Sequence, residues 1–596
     1  MEDKSSTGNA AFPKNTWRSV SMYNKTMHAF MENTSMAPSD AASELDNRKK
    51  IKYGNAAQAA WGIISEYFNY STIHGLRYLG EKRPFLEKLF WATVFLLSIY
   101  ACARLTHNIW VKWDQNPVIV SFAEKSTPVW QIPFPSVTIC PETKARQSLF
   151  NFTDMFWMIA DNRTHEATEE QIFSMEAVSQ VCDLHLMQGF EFGNRIVNNS
   201  IINVLERTAV EFNETFMTCK WRNVMGACDS MFQKVITEEG ICYTFNAIDA
   251  SETYRNESIH DDYIFMVNYD KKSNWNLEDG YSADAGTETY PERVLGAGAR
   301  AGLFVLVKGM ESDYDHICRG PVQGFKILLT TPGEMPQVSR QYFRVPFGQE
   351  VLISIKPNII TTSDGLKDYS PERRQCYFQK ERYLRYFQVY TQSNCELECL
   401  ANYTLKECGC VKFSMPRNDS APICGAANIE CYNAAEDNLL AMEFKEGLQT
   451  SALNYRGETQ CNCLPACTSI AYEAEISQAD FHFLKLFQSF RETELEKFPG
   501  TQMGRLSIFF KENQFLTSKR SELYGTTDFL ASCGGLLGLF MGVSTLSIVE
   551  LLYFCTVRLI SNLRMRHEKR KQLAKIQMVQ TPPEIVVGKI ENPKDA

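Results

Sequence analysis

Three glycines at four-residue spacing, Gly534, Gly538 and Gly542, stand in an apolar run that ends on a carboxylate, Glu550. Gly535, Ser532 and Ser544 lie beside them, and 21 residues without a formal charge separate Asp528 from Glu550. As a helix that stretch measures roughly 32 Å, enough to cross a hydrocarbon core of about 30 Å. Lipid cannot satisfy backbone polar groups, so the segment is expected to be helical wherever lipid touches it. A plain anchor needs only Leu, Ile and Val. Small residues at every fourth position let helix backbones approach closely, and an acid at the inner end of a span is costly unless it meets water or a partner. These residue types suit a helix that lines a path for cations. A packed anchor with Glu550 at the headgroups is the plainer alternative.

The elements that would position this helix follow from charge and apolar length. Residues 523–559 are expected to form one span, and residues 85–111 another. The core of the earlier span, Leu89 to Ala103, has 15 uncharged residues, extended by Phe85 and Leu86 below and by Leu105, Ile109, Trp110 and Val111 above. Lys49, Lys50, Lys52, Arg77, Lys82, Arg83 and Lys88 precede the first span, and Arg558, Arg564, Arg566, Lys569, Arg570 and Lys571 follow the second. Positive residues favour the cytoplasmic side. A cytoplasmic tail (1–65), a pre-span segment (66–84) and a basic cytoplasmic tail (560–596) then leave residues 112–522 outside. No short apolar leader opens the chain, so no cleaved signal peptide is expected.

The middle region carries the marks of an oxidising compartment. Sixteen of the 19 cysteines lie between Cys140 and Cys467, as in a disulfide framework. Seven glycosylation sequons share the region, at Asn151, Asn162, Asn198, Asn213, Asn256, Asn402 and Asn418, although three others (Asn24, Asn33 and Asn69) precede it. From Cys376 onward the spacings have an inner symmetry: Cys395/Cys399 and Cys463/Cys467 are four apart, and Cys408/Cys410 and Cys461/Cys463 two apart. A ladder of nested bridges along one elongated element explains that order better than a zinc site. Spacing does not choose among the pairings.

Apolar patterning makes this region α+β. Strands are expected at Gln131–Cys140, Tyr263–Asn268, Ala301–Val307, Phe325–Leu329, Glu350–Ile355 and Leu506–Phe510, the last leading straight into the second span. Helices are expected at Asn151–Ile159, Glu169–Leu186 and Ser477–Phe498, the third opened by a capping-box pattern at Ser477–Asp480. Strands beside both spans would couple movement of the ectodomain to them. With 596 residues, 44% of them hydrophobic, and a net charge of -9, the chain is neither a nucleic-acid binder nor wholly disordered. It shows no nucleophile elbow, phosphate loop or metal-ligand cluster, so an enzyme is not expected.

Five stretches, in order, carry a resemblance to a known family: His74-Gly75, Phe134-Pro-Ser-Val-Thr-Ile-Cys140, the cysteine-rich block, Cys461-Asn-Cys-Leu-Pro-Ala-Cys467 and Gly542-Val-Ser544. Between Ser71 and Arg558 the chain resembles the epithelial sodium channel/degenerin superfamily. Ser71–Leu79, Lys519–Gly525 and Cys533–Glu550 look like its insect pickpocket branch. The resemblance implies a membrane protein with two transmembrane helices flanking a large disulfide-rich α+β ectodomain, in a trimeric channel architecture. It further implies a sodium-selective, amiloride-sensitive, voltage-insensitive channel of the plasma membrane, with no cofactor beyond permeant Na+. Partners would be the membrane and related subunits in a homo- or heterotrimer, with an extracellular ligand possible.

By the same resemblance, Gly542, Val543 and Ser544 would form the selectivity belt and Glu550 an inner acidic ring, with His74, Gly75 and Ala531 taking part in gating. The implied bridges are Cys376–Cys467, Cys395–Cys463, Cys399–Cys461, Cys408–Cys431, Cys410–Cys424, Cys140–Cys242 and Cys219–Cys228, which leaves Cys182 and Cys318 to pair as an extra. Ser532 and Tyr553 stand where relatives carry acids. The tail sequence Pro582-Pro-Glu-Ile585 lacks the tyrosine of a ligase-recruiting motif. A disulfide-rich receptor or adhesion ectodomain on two anchors, a non-conducting accessory subunit and a nucleotide-gated two-span channel are the other readings. The first has no use for Gly-Val-Ser or Glu550, and the last would want a basic phosphate pocket that is not visible.

Overall fold

A computed structural model describes residues 56–115, 117–182, 200–268, 271–453, 461–491 and 499–579. Residues 1–55 of the expected N-terminal tail, Asn198 and the Pro582–Ile585 stretch lie outside them. The chain divides into two units, Lys112–Gly525 and the remainder.

The larger unit is built on two β-sheets. At the centre of the first is Gln349–Thr362, where Val351, Ile353, Ile355 and Ile359 are buried at alternate positions, the period-2 pattern of a strand with one face in the core. One edge pairs antiparallel with Ser469–Asp480. The other pairs in parallel with Thr501–Phe510 and, further along, with Ser518–Glu522. Val118–Phe122 then pairs antiparallel with Ser518–Glu522, so the strand after the first long helix lies beside the strand before the second. A five-stranded antiparallel sheet faces this one, in the order Phe343–Pro346, Gly324–Thr330, Ser136–Pro141, Gly240–Phe245, Phe232–Thr237. Val137, Ile139, Phe325 and Ile327 from one sheet and Val305, Val351, Leu506 and Ile508 from the other form a shared core. Phe134 sits inside it, its ring centroid 4.8 Å from Trp221 and 5.7 Å from Phe510.

Eight disulfides close this unit: Cys140–Cys242, Cys182–Cys318, Cys219–Cys228, Cys376–Cys467, Cys395–Cys463, Cys399–Cys461, Cys408–Cys431 and Cys410–Cys424. They are the pairs named above. The ladder follows from helix geometry. Cys395 and Cys399 lie one turn apart on Gln392–Cys408, an axial step of about 6 Å. Cys463 and Cys461 meet them in reverse order from a non-helical segment, with Asn462 between them at φ 45°. Cys408 ties the end of that helix to Cys431 on the next, Ile429–Leu453. Of the described sequons, Asn162, Asn213, Asn256 and Asn402 are exposed, while Asn151 and Asn418 are half-buried.

Several sequence expectations need correction. Tyr263–Asn268 is not a strand: Asp261–Met266 is a 3-10 helix. Residues three apart share a face in that helix, and Tyr263 and Met266 are both buried in the core. Ser477–Asp480 does not open a helix. It ends the strand Ser469–Asp480, whose long ladder outweighs the local capping pattern, and the described helix is Phe483–Ser489. Thr501–Phe510 does not lead directly into the second span, because Ser518–Glu522 intervenes.

A buried charge network stands at one end of the five-stranded sheet. Glu239, in the turn before Gly240, accepts from Lys144 (2.9 Å) and Arg319 (2.9 Å) on one oxygen and from Lys326 (2.7 Å) on the other. Arg319 also pairs with Glu142 at 2.8 Å and donates to the Val181 carbonyl beside the Cys182–Cys318 bridge. Burial works against the Glu239 carboxylate, yet Lys144, Arg319 and Lys326 together hold its pKa well below the usual range. Burial and the nearby Arg319 outweigh Glu239 and push Lys144 down to about 8.

Two outcomes are expected. Glu239→Gln leaves three buried cations short of their shared acceptor, and a broken buried pair costs about 3–5 kcal/mol; the purified protein should melt at clearly lower temperature. Lys144 has a folded pKa depressed from 10.5 to about 8. The folded state therefore holds fewer protons than the unfolded one between these values, and stability from this group rises across that window as pH increases. It is lost as pH falls back through the folded pKa. Melting curves against pH should show this rise in the wild type, and a flatter profile for Lys144→Met.

Candidate functional site

The smaller unit holds the apolar helices. Phe85–Gln115 is long enough and apolar enough to span a bilayer. Its Ser98 hydroxyl donates to the Phe540 carbonyl at 2.7 Å, and Trp110 meets Phe529 edge-on at 5.9 Å. Twelve residues forward on one helix thus match eleven backward on the other, so the two run antiparallel. Leu530, Leu539, Leu546 and Val549 are exposed on the single chain, a pattern for contact with lipid or another subunit.

The expected single helix over 523–559 is broken. Thr526–Met541 ends at Gly542, and a new helix, Thr545–Tyr553, begins after Ser544. A five-residue π-helical turn, Phe554–Arg558, connects this to Leu559–Val579. The break has a local cause. Gly542 adopts a left-handed conformation (φ 69°), and its N–H bonds back to the Gly538 carbonyl at 2.9 Å, the usual glycine stop. Two residues later Ser544 is the N-cap of the next helix, in a reciprocal capping box with Ser547. A helix stop and a helix start therefore stand back to back, with Val543 between them.

The pre-span segment closes around this break. Ala56–Tyr70 is helical; Tyr67 meets Phe554 edge-on at 5.3 Å, and Glu66 pairs with Arg558 at 2.5 Å. The chain then turns so that the His74 N–H donates to the Met541 carbonyl at 2.9 Å, satisfying a group that the helix end leaves free. Gly75 (φ 87°) makes the turn into Leu76–Gly80. Tyr78 stacks on Trp91 at 4.3 Å, fixing that short helix against the first span. The His74 ring covers Gly542 so closely that a Cβ there would sit 2.5 Å from Nδ1.

The structure thus brings together His74, Gly75, Gly542, Val543, Ser544 and Glu550. Glu550 is half-buried, and its Oε2 accepts from the Thr72 hydroxyl at 3.1 Å and from the Thr72 N–H at 3.4 Å. Ala531 lies apart from them, exposed on Thr526–Met541. Gly534 and Gly535 have open space where a Cβ would stand, with no described residue within 4 Å of it. Thr72, Ser547, Ser98 and Glu66 belong to the site but do not stand out in the sequence. The Gly-x-Ser order, a helix stop followed by a helix start, is the local signal of the break that the expectation of a single helix passed over.

Comparison with known proteins agrees with this arrangement. The family model described as "Amiloride-sensitive sodium channel" matches residues 67–554. Pickpocket protein 28 of Drosophila melanogaster is 29% identical over 87% of this chain and 82% of its own length. The sodium channel protein Nach of the same species is 24% identical over 85% of the chain and 90% of its own length. Acid-sensing ion channel 1A of Danio rerio is 22% identical over 81% and 85%. With two apolar helices near its ends, a broken second span and eight disulfides between, the chain belongs to the amiloride-sensitive sodium channel family and is a cation channel subunit.

Proposed function

We propose that this chain is a subunit of a sodium-selective, amiloride-sensitive, voltage-insensitive channel of the plasma membrane, assembled as a homo- or heterotrimer with both termini in the cytoplasm. The observation that carries this reading is the non-helical Gly542-Val543-Ser544 between two apolar helices. Non-helical backbone at membrane depth is tolerated only where protein buries it or water lines it. Two spans cannot enclose a pore, so the aqueous path must lie between copies. The open face of Gly534 and Gly535 is available for that contact. Three chains meeting at an axis would present backbone carbonyls and Ser544 hydroxyls in place of hydration water.

Glu550 lies inward of this belt, where a carboxylate ring attracts cations and repels anions. The spans carry no repeated basic residues for a membrane field to move. The exposed sequons and the disulfides suit an extracellular side, and Arg77, Lys82, Arg564 and Lys569 the cytoplasmic one. The relatives' names associate the fold with sodium channels and with an acid-sensing channel; this chain's stimulus is a separate question.

Voltage clamp of cells expressing the chain tests the reading. An amiloride-blocked sodium current, larger in Ala531→Val because a bulkier side chain hinders closure, is the expected result. Silence from both, with surface expression confirmed, points to a required partner subunit or a non-conducting role, which co-expression separates. Glu550→Gln should lower single-channel current by about twofold to threefold, the Boltzmann effect of one charge about 7 Å away in water. Gly542→Ala forces a left-handed residue worth about 1–2 kcal/mol of strain and drives its Cβ into the His74 ring. It should shift the sodium-to-potassium reversal potential or abolish current, and unchanged permeation would remove Gly542 from the belt.

A further inference from the structure

On the helix Gln392–Cys408, Glu398, Asn402 and Lys406 follow at four-residue spacing and so share a face. Together with Arg382, Leu384 and Cys461 they line a groove of about 270 Å³ in the larger unit. Glu398 accepts from the backbone N–H groups of Arg385 and Tyr386, both at 2.9 Å, which ties the segment carrying Arg382 and Leu384 to the helix. Arg382 donates through Nη2 to the Cys461 carbonyl at 3.3 Å. Its buried Nε has no hydrogen-bond partner among the described residues.

Asn402 opens the sequon Asn402-Tyr403-Thr404. Thr404 is fully buried, and its hydroxyl has no hydrogen-bond partner among the described residues. A buried unpaired hydroxyl costs stability, and Val would fill the same space without that cost. In two other sequons the fold uses the hydroxyl: Thr153 donates to Asp315 at 3.2 Å, and Thr215 to the Glu211 carbonyl at 3.1 Å. The Thr404 hydroxyl has its use earlier, in the unfolded chain, where the sequon is recognised. We propose that Asn402 carries an N-linked glycan whose first N-acetylglucosamine lies in this groove, with Arg382 and Lys406 donating to its oxygens and Glu398 accepting from a hydroxyl. In the transfer, the Asn402 amide nitrogen attacks C1 of a lipid-linked oligosaccharide pyrophosphate. A C–N bond forms, the C–O bond breaks with its electron pair leaving on the pyrophosphate, and one amide proton is released. The groove has room for one sugar, so the rest of the glycan stands in solvent. The inference rests on the reading of residues 112–522 as extracellular.

The test is site-resolved glycan release from the full chain purified from eukaryotic cells, read by mass spectrometry as conversion of Asn to Asp by a peptide N-glycosidase. On the native protein, release at Asn402 should be about tenfold slower than at whichever of the exposed Asn162, Asn213 and Asn256 carry glycans, because it waits on local opening. After denaturation the rates should be equal. Arg382→Gln should raise the native rate at Asn402 to that of the exposed sites, with the glycan still attached. If that variant does not reach the surface, Lys406→Met, at an exposed position, makes the same test. Thr404→Val should abolish the modification at Asn402 alone, and Thr404→Ser should keep it. An unmodified Asn402 beside a glycosylated Asn162, Asn213 or Asn256 overturns the site and leaves the extracellular placement standing. Equal native release at Asn402 and the exposed sites overturns the seat in the groove. A chain with no glycan at any sequon overturns the extracellular placement as well.

Discussion

The interior of a bilayer offers no partner to a backbone N–H or C=O. That constraint governs the smaller unit. Gly542, Val543 and Ser544 leave helical geometry between two apolar helices, and the freed groups must be met from somewhere. The His74 N–H meets the Met541 carbonyl, the Gly542 N–H returns to Gly538, and Ser544 and Ser547 cap each other. The segment before the first span therefore packs into this break, although about 470 residues separate the two in sequence. Where only helices are stable without help, a break is affordable only beside such a partner.

The larger unit solves a different problem. Its two sheets share one apolar core, and their edges are held by bridges rather than by further strands. The helix Gln392–Cys408 carries three of the bridging cysteines on two faces, which fixes it to the returning segment and to the next helix at once. At the far end of the smaller sheet, Glu239 serves three cations that burial would otherwise make intolerable. Such a network is costly to build and strongly destabilising to break.

Much of this was legible without coordinates. Val351, Ile353 and Ile355 announce their strand by alternation. Cysteine spacing showed a ladder, and the family resemblance supplied its pairs. The single helix expected over 523–559 failed at Gly542, and two other expectations failed where two local signals competed. Tyr263–Asn268 is apolar enough for strand or helix, and only the core decides which side chains turn inward. Ser477–Asp480 has the form of a helix start, but pairing with Gln349–Leu352 holds it extended.

The sequence by itself determined the elements whose cause is local: two long apolar helices, alternating strands, the glycine stop and serine start at 542–544, and the oxidised middle. Those follow from backbone propensity and burial of neighbouring residues, which act within a few positions. Tertiary structure alone decided that Thr72 reaches Glu550, that Glu66 pairs with Arg558, and that Lys144, Arg319 and Lys326 converge on Glu239. Each of these contacts joins residues separated by tens to hundreds of positions. Hydrogen bonds and ion pairs act over a few ångströms of space, and no spacing along the chain encodes that distance.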